Sequence, residues 1–278
     1  LTLGIFAASC SSDEDNEPIN SNLILNLNGL EDLGSDFVYE GWIIVNGSPV
    51  STGTFTSVSF PQNFEVNTVQ LNSATTFVLS IEPAIDNDPA PAATKILVGD
   101  FSGNSAVVNS AIVGDFSNAS GAFFLRTPTD ETGTNNGNDE NGIWFGTPGM
   151  PPTPNFVLPT LPQGWIYEGW VVGDSGPLTT GTFTNFNTVD NSAPFSETMQ
   201  SGPPVPGEDF FLNAPQGESF PLDVRGRTVV ISVEPVPDNS SGPFLLKPLV
   251  GTAGNETAPT IHNFGQNLGS LPTGTVTR

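Results

Sequence analysis

Apolar and polar residues alternate in short runs along this chain. Leu23, Leu25 and Leu27 alternate with Ile24, Asn26 and Asn28. A period of two puts the three leucines on one face of a strand. Residues 39–45 (Tyr-Glu-Gly-Trp-Ile-Ile-Val) are rich in aromatic and β-branched side chains and run into Asn46-Gly47-Ser48-Pro49. Asn-Gly between apolar runs predicts a hairpin. Thr52 to Phe60 and Thr76 to Glu82 predict further strands. Pro83 ends the second of these, because proline has no N–H for a ladder. No segment predicts a helix. The fold class expected is all-β, with roughly seven short strands per unit, enough for a sandwich.

The pattern then repeats. Tyr39-Glu40-Gly41-Trp42 returns as Tyr167-Glu168-Gly169-Trp170, an offset of 128. Leu30, Leu33 and Phe37 align with Leu158, Leu161 and Trp165, and Thr52-Gly53-Thr54-Phe55-Thr56 with Thr180-Gly181-Thr182-Phe183-Thr184. Further on the offset becomes 152: residues 77–83 match residues 229–235, Lys95 matches Lys247, and Arg126 matches Arg278. The second copy thus carries 24 extra residues, between Phe186 and Val229. The expected organisation is two tandem β-sandwich-like domains, at 23–127 and 156–278, the second with an insertion at about 187–228. An extra strand is expected near Phe210-Phe211-Leu212. The linker, 128–155, is rich in Gly, Asn and Pro, with Ile143-Trp144-Phe145 as an apolar clip. The repeat ends where the sequence ends, so the second copy reads as complete.

Composition agrees with many strands and tight turns, with 30 Gly and 26 Pro in 278 residues. Twenty Phe and four Trp supply the cores. Six basic residues against 29 acidic ones give a net charge of −23, which repels phosphate backbones and excludes nucleic-acid binding. No run of 18 apolar residues predicts a membrane span. The single Cys, Cys10, cannot form an intrachain disulfide.

Cys10 instead follows Leu1 to Ser9, an apolar and small-residue run ending Ala7-Ala8-Ser9. This resembles the lipobox of bacterial lipoproteins, in which the signal peptide is cleaved before a Cys that then carries a diacylglycerol. Residues 1–9 read as the remnant of such a signal, without its starting Met and basic segment. Residues 10–22 read as the lipidated Cys and an acidic, solvated tether, Ser11-Ser12-Asp13-Glu14-Asp15-Asn16-Glu17-Pro18. That stretch is similar to the export signal of surface lipoproteins of the Bacteroidota. The location implied is the outer membrane, at the cell surface, with the membrane reached through the lipid anchor.

Catalytic chemistry is hard to find. A nucleophilic triad needs a base, and His262, the only His, is not matched in the first copy; it reads as a surface or edge residue. Zinc would need clustered His and Cys. Asp130-Glu131 and residues 135–141 (Asn-Asn-Gly-Asn-Asp-Glu-Asn) offer oxygens to calcium, but the EF-hand spacing is missing and a solvated linker is expected. Asp86-Asn87-Asp88 and Asp238-Asn239 follow a strand in each copy and read as turns. No metal, cofactor or catalytic residue is expected.

The recurring charges are Glu40, Glu82, Lys95 and Arg126, and Glu168, Glu234, Lys247 and Arg278. Four of the six basic residues stand at matched positions, which predicts a duplicated structural cluster in which Glu40 or Glu82 pairs with Lys95 or Arg126. A Glu pair doing glycoside hydrolysis is the competing reading. Trp144 and Trp165 are candidates for an exposed ligand platform, and Trp42 and Trp170 for core.

The repeated signature, Tyr-Glu-Gly-Trp, then Pro49-Val50-Ser51-Thr52-Gly53-Thr54-Phe55-Thr56, then the strand ending Ser80-Ile81-Glu82-Pro83, resembles the C-terminal domain of the anti-sigma-K factor family. In that family it is the extracytoplasmic part of a regulator. The resemblance implies a non-enzymatic envelope protein acting in sensing or protein interaction, its partner an unidentified envelope protein or glycan. A glycan-binding, adhesive or purely structural surface lipoprotein is the alternative.

Overall fold

The computed structural model describes residues 19–132, 137–196, 202–238 and 240–278. Cys10, the signal remnant and most of the tether lie outside the described residues.

The first copy opens with strand β1 (Asn20–Asn28), whose Leu23, Leu25 and Leu27 are buried as the alternation predicts. β2 (Phe37–Val45) and β3 (Ser48–Phe55) form the Asn-Gly hairpin, with Asn46 and Gly47 at positive φ. β3 stops at Phe55, short of the expected Phe60. The loop beyond it is held by the Gln62 amide, which donates to the carbonyls of Ser57 (2.6 Å) and Ser59 (3.1 Å). β4 (Gln62–Asn67) leads into a helix that the sequence reading did not expect, α1 (Thr68–Ser73). The Asn67 side chain accepts from the N–H groups of Val69 and Gln70 and caps it, and Leu71 is its one buried residue. One turn with one apolar anchor is too short to leave a 3.6-residue period. β5 (Thr76–Pro83), β6 (Lys95–Ser102), β7 (Ser105–Asn109) and β8 (Ala122–Leu125) complete the copy.

The second copy contains β9 (Gly142–Phe145), β10 (Trp165–Val172), β11 (Pro177–Phe183), β12 (Gly207–Asp209), β13 (Thr228–Pro235), β14 (Leu249–Thr252), β15 (His262–Asn263), β16 (Gly265–Gln266) and β17 (Thr273–Thr277). All-β architecture holds in both halves. The division into sheets, however, does not follow the chain.

One sheet has eight strands in the order β3-β2-β5-β6-β7-β17-β1-β4. The last strand of the second copy therefore lies inside the sheet of the first, between β7 and β1. Val276 stands opposite Leu25 on one side and Ala106 on the other. The remaining strands form β11-β10-β13-β14-β16 and β12-β9-β8-β15. β15 and β16 are separated only by Phe264. Taken as two halves of one strand, they give the same order as the first sheet, with β8 where β17 stands. Each copy thus lends its final strand to the other.

This corrects the expected domains. The boundaries 23–127 and 156–278 cut through both sheets, because 122–125 belong with the second copy and 273–277 with the first. The linker is also shorter than expected. Ile143-Trp144-Phe145 is no clip but strand β9, the counterpart of β1, paired with β8 and β12. The insertion supplies β12, just before the expected Phe210 and at the position equivalent to β4.

Packing explains why the exchange is stable. β17 buries Val276 completely, and Gly274 passes so close to β1 that a Cβ there would stand 2.5 Å from the Asn26 carbonyl oxygen. One hydrophobic cluster runs through both copies, from Leu25 and Phe77 to Phe145 and Ile231. Full burial of each such side chain is worth about 1.5–3 kcal/mol, so the shared core favours the exchanged arrangement. Tyr39 donates its hydroxyl to the Glu31 carbonyl (2.9 Å), and Tyr167 repeats this to Pro159 (2.7 Å). The repeated Tyr thereby fixes the loop entering each hairpin.

Candidate functional site

The repeated signature builds the same cleft twice. Glu40 and Trp42 stand two apart on β2 and face one side, and Glu82 stands on the neighbouring strand β5. Glu40, Trp42, Ser51, Glu82, Asp86 and Asp88 line a cleft of about 390 Å³. In the second copy Glu168, Trp170, Thr179, Phe195, Gln216 and Ser240 line one of about 520 Å³.

The hydrogen bonds recur with the residues. The Trp42 indole donates to Ser80 Oγ (2.8 Å), and Ser80 donates in turn to Glu82, which also accepts from the Ala92 N–H (2.9 Å). The Trp170 indole donates to Ser232 Oγ (2.8 Å), Ser232 donates to Glu234, and Glu234 accepts from the Phe244 N–H (3.0 Å). Ser51 donates to Glu40, and Thr179 to Glu168.

Among the described residues no ion pair reaches these carboxylates. The described ion pairs join Arg126 to Glu131, Arg225 to Asp223 and Glu140, and Arg227 to Asp174. Lys95 donates to the Ala92 carbonyl (2.8 Å), reaching the loop that holds Glu82 but not the carboxylate. Lys247 draws on Glu31. Arg278 donates to the carbonyls of Leu71 and Ala74 (2.7 Å each) and lies over the Phe101 ring. The expected charge cluster is therefore overturned. Hydroxyls and backbone N–H groups satisfy the glutamates, and strand exchange places each matched arginine with the other copy's sheet.

Without counter-charges, burial dominates the acidity. Desolvation raises Glu82 above the ordinary carboxylate range, against the Ser80 and Ala92 hydrogen bonds and with help from the Glu40 charge. Desolvation pushes Glu168 up to about 7, against the Thr179 bond, and Glu234 up to about 7, against the Ser232 and Phe244 bonds. The inner carboxylate is nearly sealed in both copies, at 1% exposure for Glu82 and 0% for Glu234. It is a hydrogen-bond acceptor for its own loop rather than a group presented to solvent.

The platform residues are corrected as well. Trp144 and Trp165 are each 4% exposed. Trp144 donates to the Arg126 carbonyl (3.1 Å) and packs with Phe124 and Val205. Trp165 packs against Phe244 with the rings tilted and their centroids 5.9 Å apart. Trp42 and Trp170 are buried as expected. His262 is not at the surface. It is 9% exposed on β15, opposite Phe123 of the borrowed strand β8, with Nε2 at 2.9 Å from the Glu256 carbonyl. Asp86 and Asp238 each accept from the N–H two residues on (2.8 Å), which is the turn role expected of them.

Sequence reasoning missed a second group of buried acids in the insertion. Desolvation raises Asp190 to about 7 and Glu208 to about 9, and raises Asp209. Asp190 accepts from the Gly207 N–H (2.8 Å), and Asp209 accepts from Thr129 N and Oγ1 (2.7 Å each), clamping the linker to β12. The only signal was Glu208-Asp209 set directly against Phe210-Phe211. Among the described residues no three His, Cys, Asp or Glu side chains gather as a metal site, and no helix is long and apolar enough to cross a membrane.

No protein-family model, no curated protein and no solved structure matches this chain.

Proposed function

We propose that the chain is a non-enzymatic envelope lipoprotein, anchored through Cys10, whose paired β domains serve in sensing or protein interaction. The observation that supports this best is where the recurring polar residues go. Tyr39, Trp42, Ser80 and Glu82, and their counterparts, are spent on one another and on backbone groups of their own loops. A repeat whose shared polar residues maintain architecture is a scaffold, and its specificity belongs to the surfaces and loops that differ between copies.

The same geometry weighs against hydrolysis. A glycosidase needs one acid that can protonate a leaving group and a second carboxylate facing the same bond. Glu82 and Glu234 are too enclosed for either role. Burial of Trp144 and Trp165 likewise removes the aromatic platform on which glycan binding rested.

Cross-linking in intact cells, followed by purification of the acylated chain from membranes, tests the proposal. The expected result is a membrane-bound protein, stripped by protease added to whole cells and cross-linked to one envelope partner, with Cys10→Ser released from the membrane. Retention of Cys10→Ser in the membrane fraction, or turnover of a glycan by the purified chain, would overturn it.

A further inference from the structure

The segment that carries the chain from β8 to β9 closes on Thr127, which is 1% exposed. Its N–H donates to Asp139 Oδ1 (3.1 Å) and its hydroxyl to the Asn138 carbonyl (3.2 Å), and that hydroxyl accepts from the Asn141 N–H (3.1 Å). The Thr127 carbonyl accepts from the Asp130 N–H (3.2 Å). Residues 127–130 and 138–141 are thus one knot, fastened to β12 through Asp209.

Three buried oxygens in this knot have no hydrogen-bond partner: Asp130 Oδ2, Asn138 Oδ1 and Asn141 Oδ1. Asn141 as a residue is only 5% exposed. Elsewhere among the described residues such atoms occur singly, as in Thr52, Thr180 and Trp165. Buried acceptors are almost always paired, so three on one short knot call for a shared partner. One carboxylate and two amide carbonyls are hard oxygen donors. They suit a cation that takes many oxygens in flexible geometry, which describes calcium better than magnesium.

We propose that the knot binds one calcium ion through Asp130, Asn138 and Asn141, with water filling the remaining positions. A single carboxylate among the three implies weak binding, in the range of extracellular calcium modules, about 10⁻⁴–10⁻³ M. The ion would fasten the connection between β8 and β9, which are neighbours in the second copy's sheet. This inference stands apart from the proposed interaction role.

Thermal unfolding of the full chain tests it, with calcium, with magnesium and with chelator. About 5 mM calcium should raise the midpoint by roughly 4 °C over chelator. Asp130→Asn and Asn141→Ala should remove that rise. No rise, an equal rise with magnesium, or a rise that survives in both variants would overturn the proposal, the last two marking general screening of the −23 charge. Calorimetric titration of the unaltered chain decides the matter should the variants not fold: one saturable calcium ion per chain supports the site, and none overturns it.

Discussion

Leu25, in the first strand, and Val276, in the last, stand opposite each other in one antiparallel ladder. Both are fully buried. Everything between them in the chain is therefore enclosed by a pairing that joins its ends. Stability should be sensitive to positions that the repeat alone would mark as peripheral.

Gly274→Val tests that sensitivity. A side chain there meets the Asn26 carbonyl and the Leu27 Cδ2 within 2.6 Å. The substitution should cost about 3 kcal/mol or more, read from urea unfolding as a lower midpoint, in a single transition that reports both sheets. A loss confined to the second copy would speak against the exchange.

Ser80→Ala and Glu82→Gln separate a hydrogen-bond relay from an ion pair. Ser80→Ala leaves the Trp42 indole and Glu82 without their shared partner and should cost about 2–3 kcal/mol. Glu82→Gln keeps an acceptor for the Ala92 N–H and should cost about 1 kcal/mol or less at neutral pH. A buried ion pair would give about 3–5 kcal/mol for the second change instead. Chemical denaturation of the two variants distinguishes these outcomes.

Stability should fall as pH rises from mildly acidic to alkaline. Glu168, Glu234 and Asp190 titrate near 7 in the folded chain, and Glu208 near 9. Unfolding returns them to the ordinary carboxylate range, so between those values the folded state holds more protons than the unfolded one. Their favourable contribution is complete below about pH 4 and is lost as pH rises through 7 and then 9. Thermal midpoints across pH 4.5 to 9 check this, and a midpoint that climbs toward alkaline pH would contradict it.

The strands with period-two alternation or aromatic and β-branched runs were legible in the sequence: β1 from its leucines, β2 and β3 from the Asn-Gly hairpin, β5 from its proline stop. The recurring glutamates Glu40, Glu82, Glu168 and Glu234 were legible too, because the first two return in the second copy as the last two. Their partners were not, since Ser80 and Ser232 are as unremarkable in sequence as any strand serine. β9 escaped because Gly-Ile-Trp-Phe shares nothing with its counterpart Leu23–Leu27 beyond being apolar. The exchange itself left no mark on the sequence. A strand's pattern records which face is buried and not which sheet buries it, so Arg126 and Arg278 aligned well while each stands with the other copy's sheet.

The exchange is tested most directly by a cross-link between the two ends of the chain. Asn26 and Thr275 are opposite in the β1–β17 ladder, and the Cα separation of such a pair, about 4.5–5.5 Å, suits a disulfide. In a Cys10→Ser background, Asn26→Cys with Thr275→Cys should oxidise to a single intramolecular disulfide in the native protein. A free pair of thiols in the folded chain would contradict the account and return β17 to its own copy, beside β9.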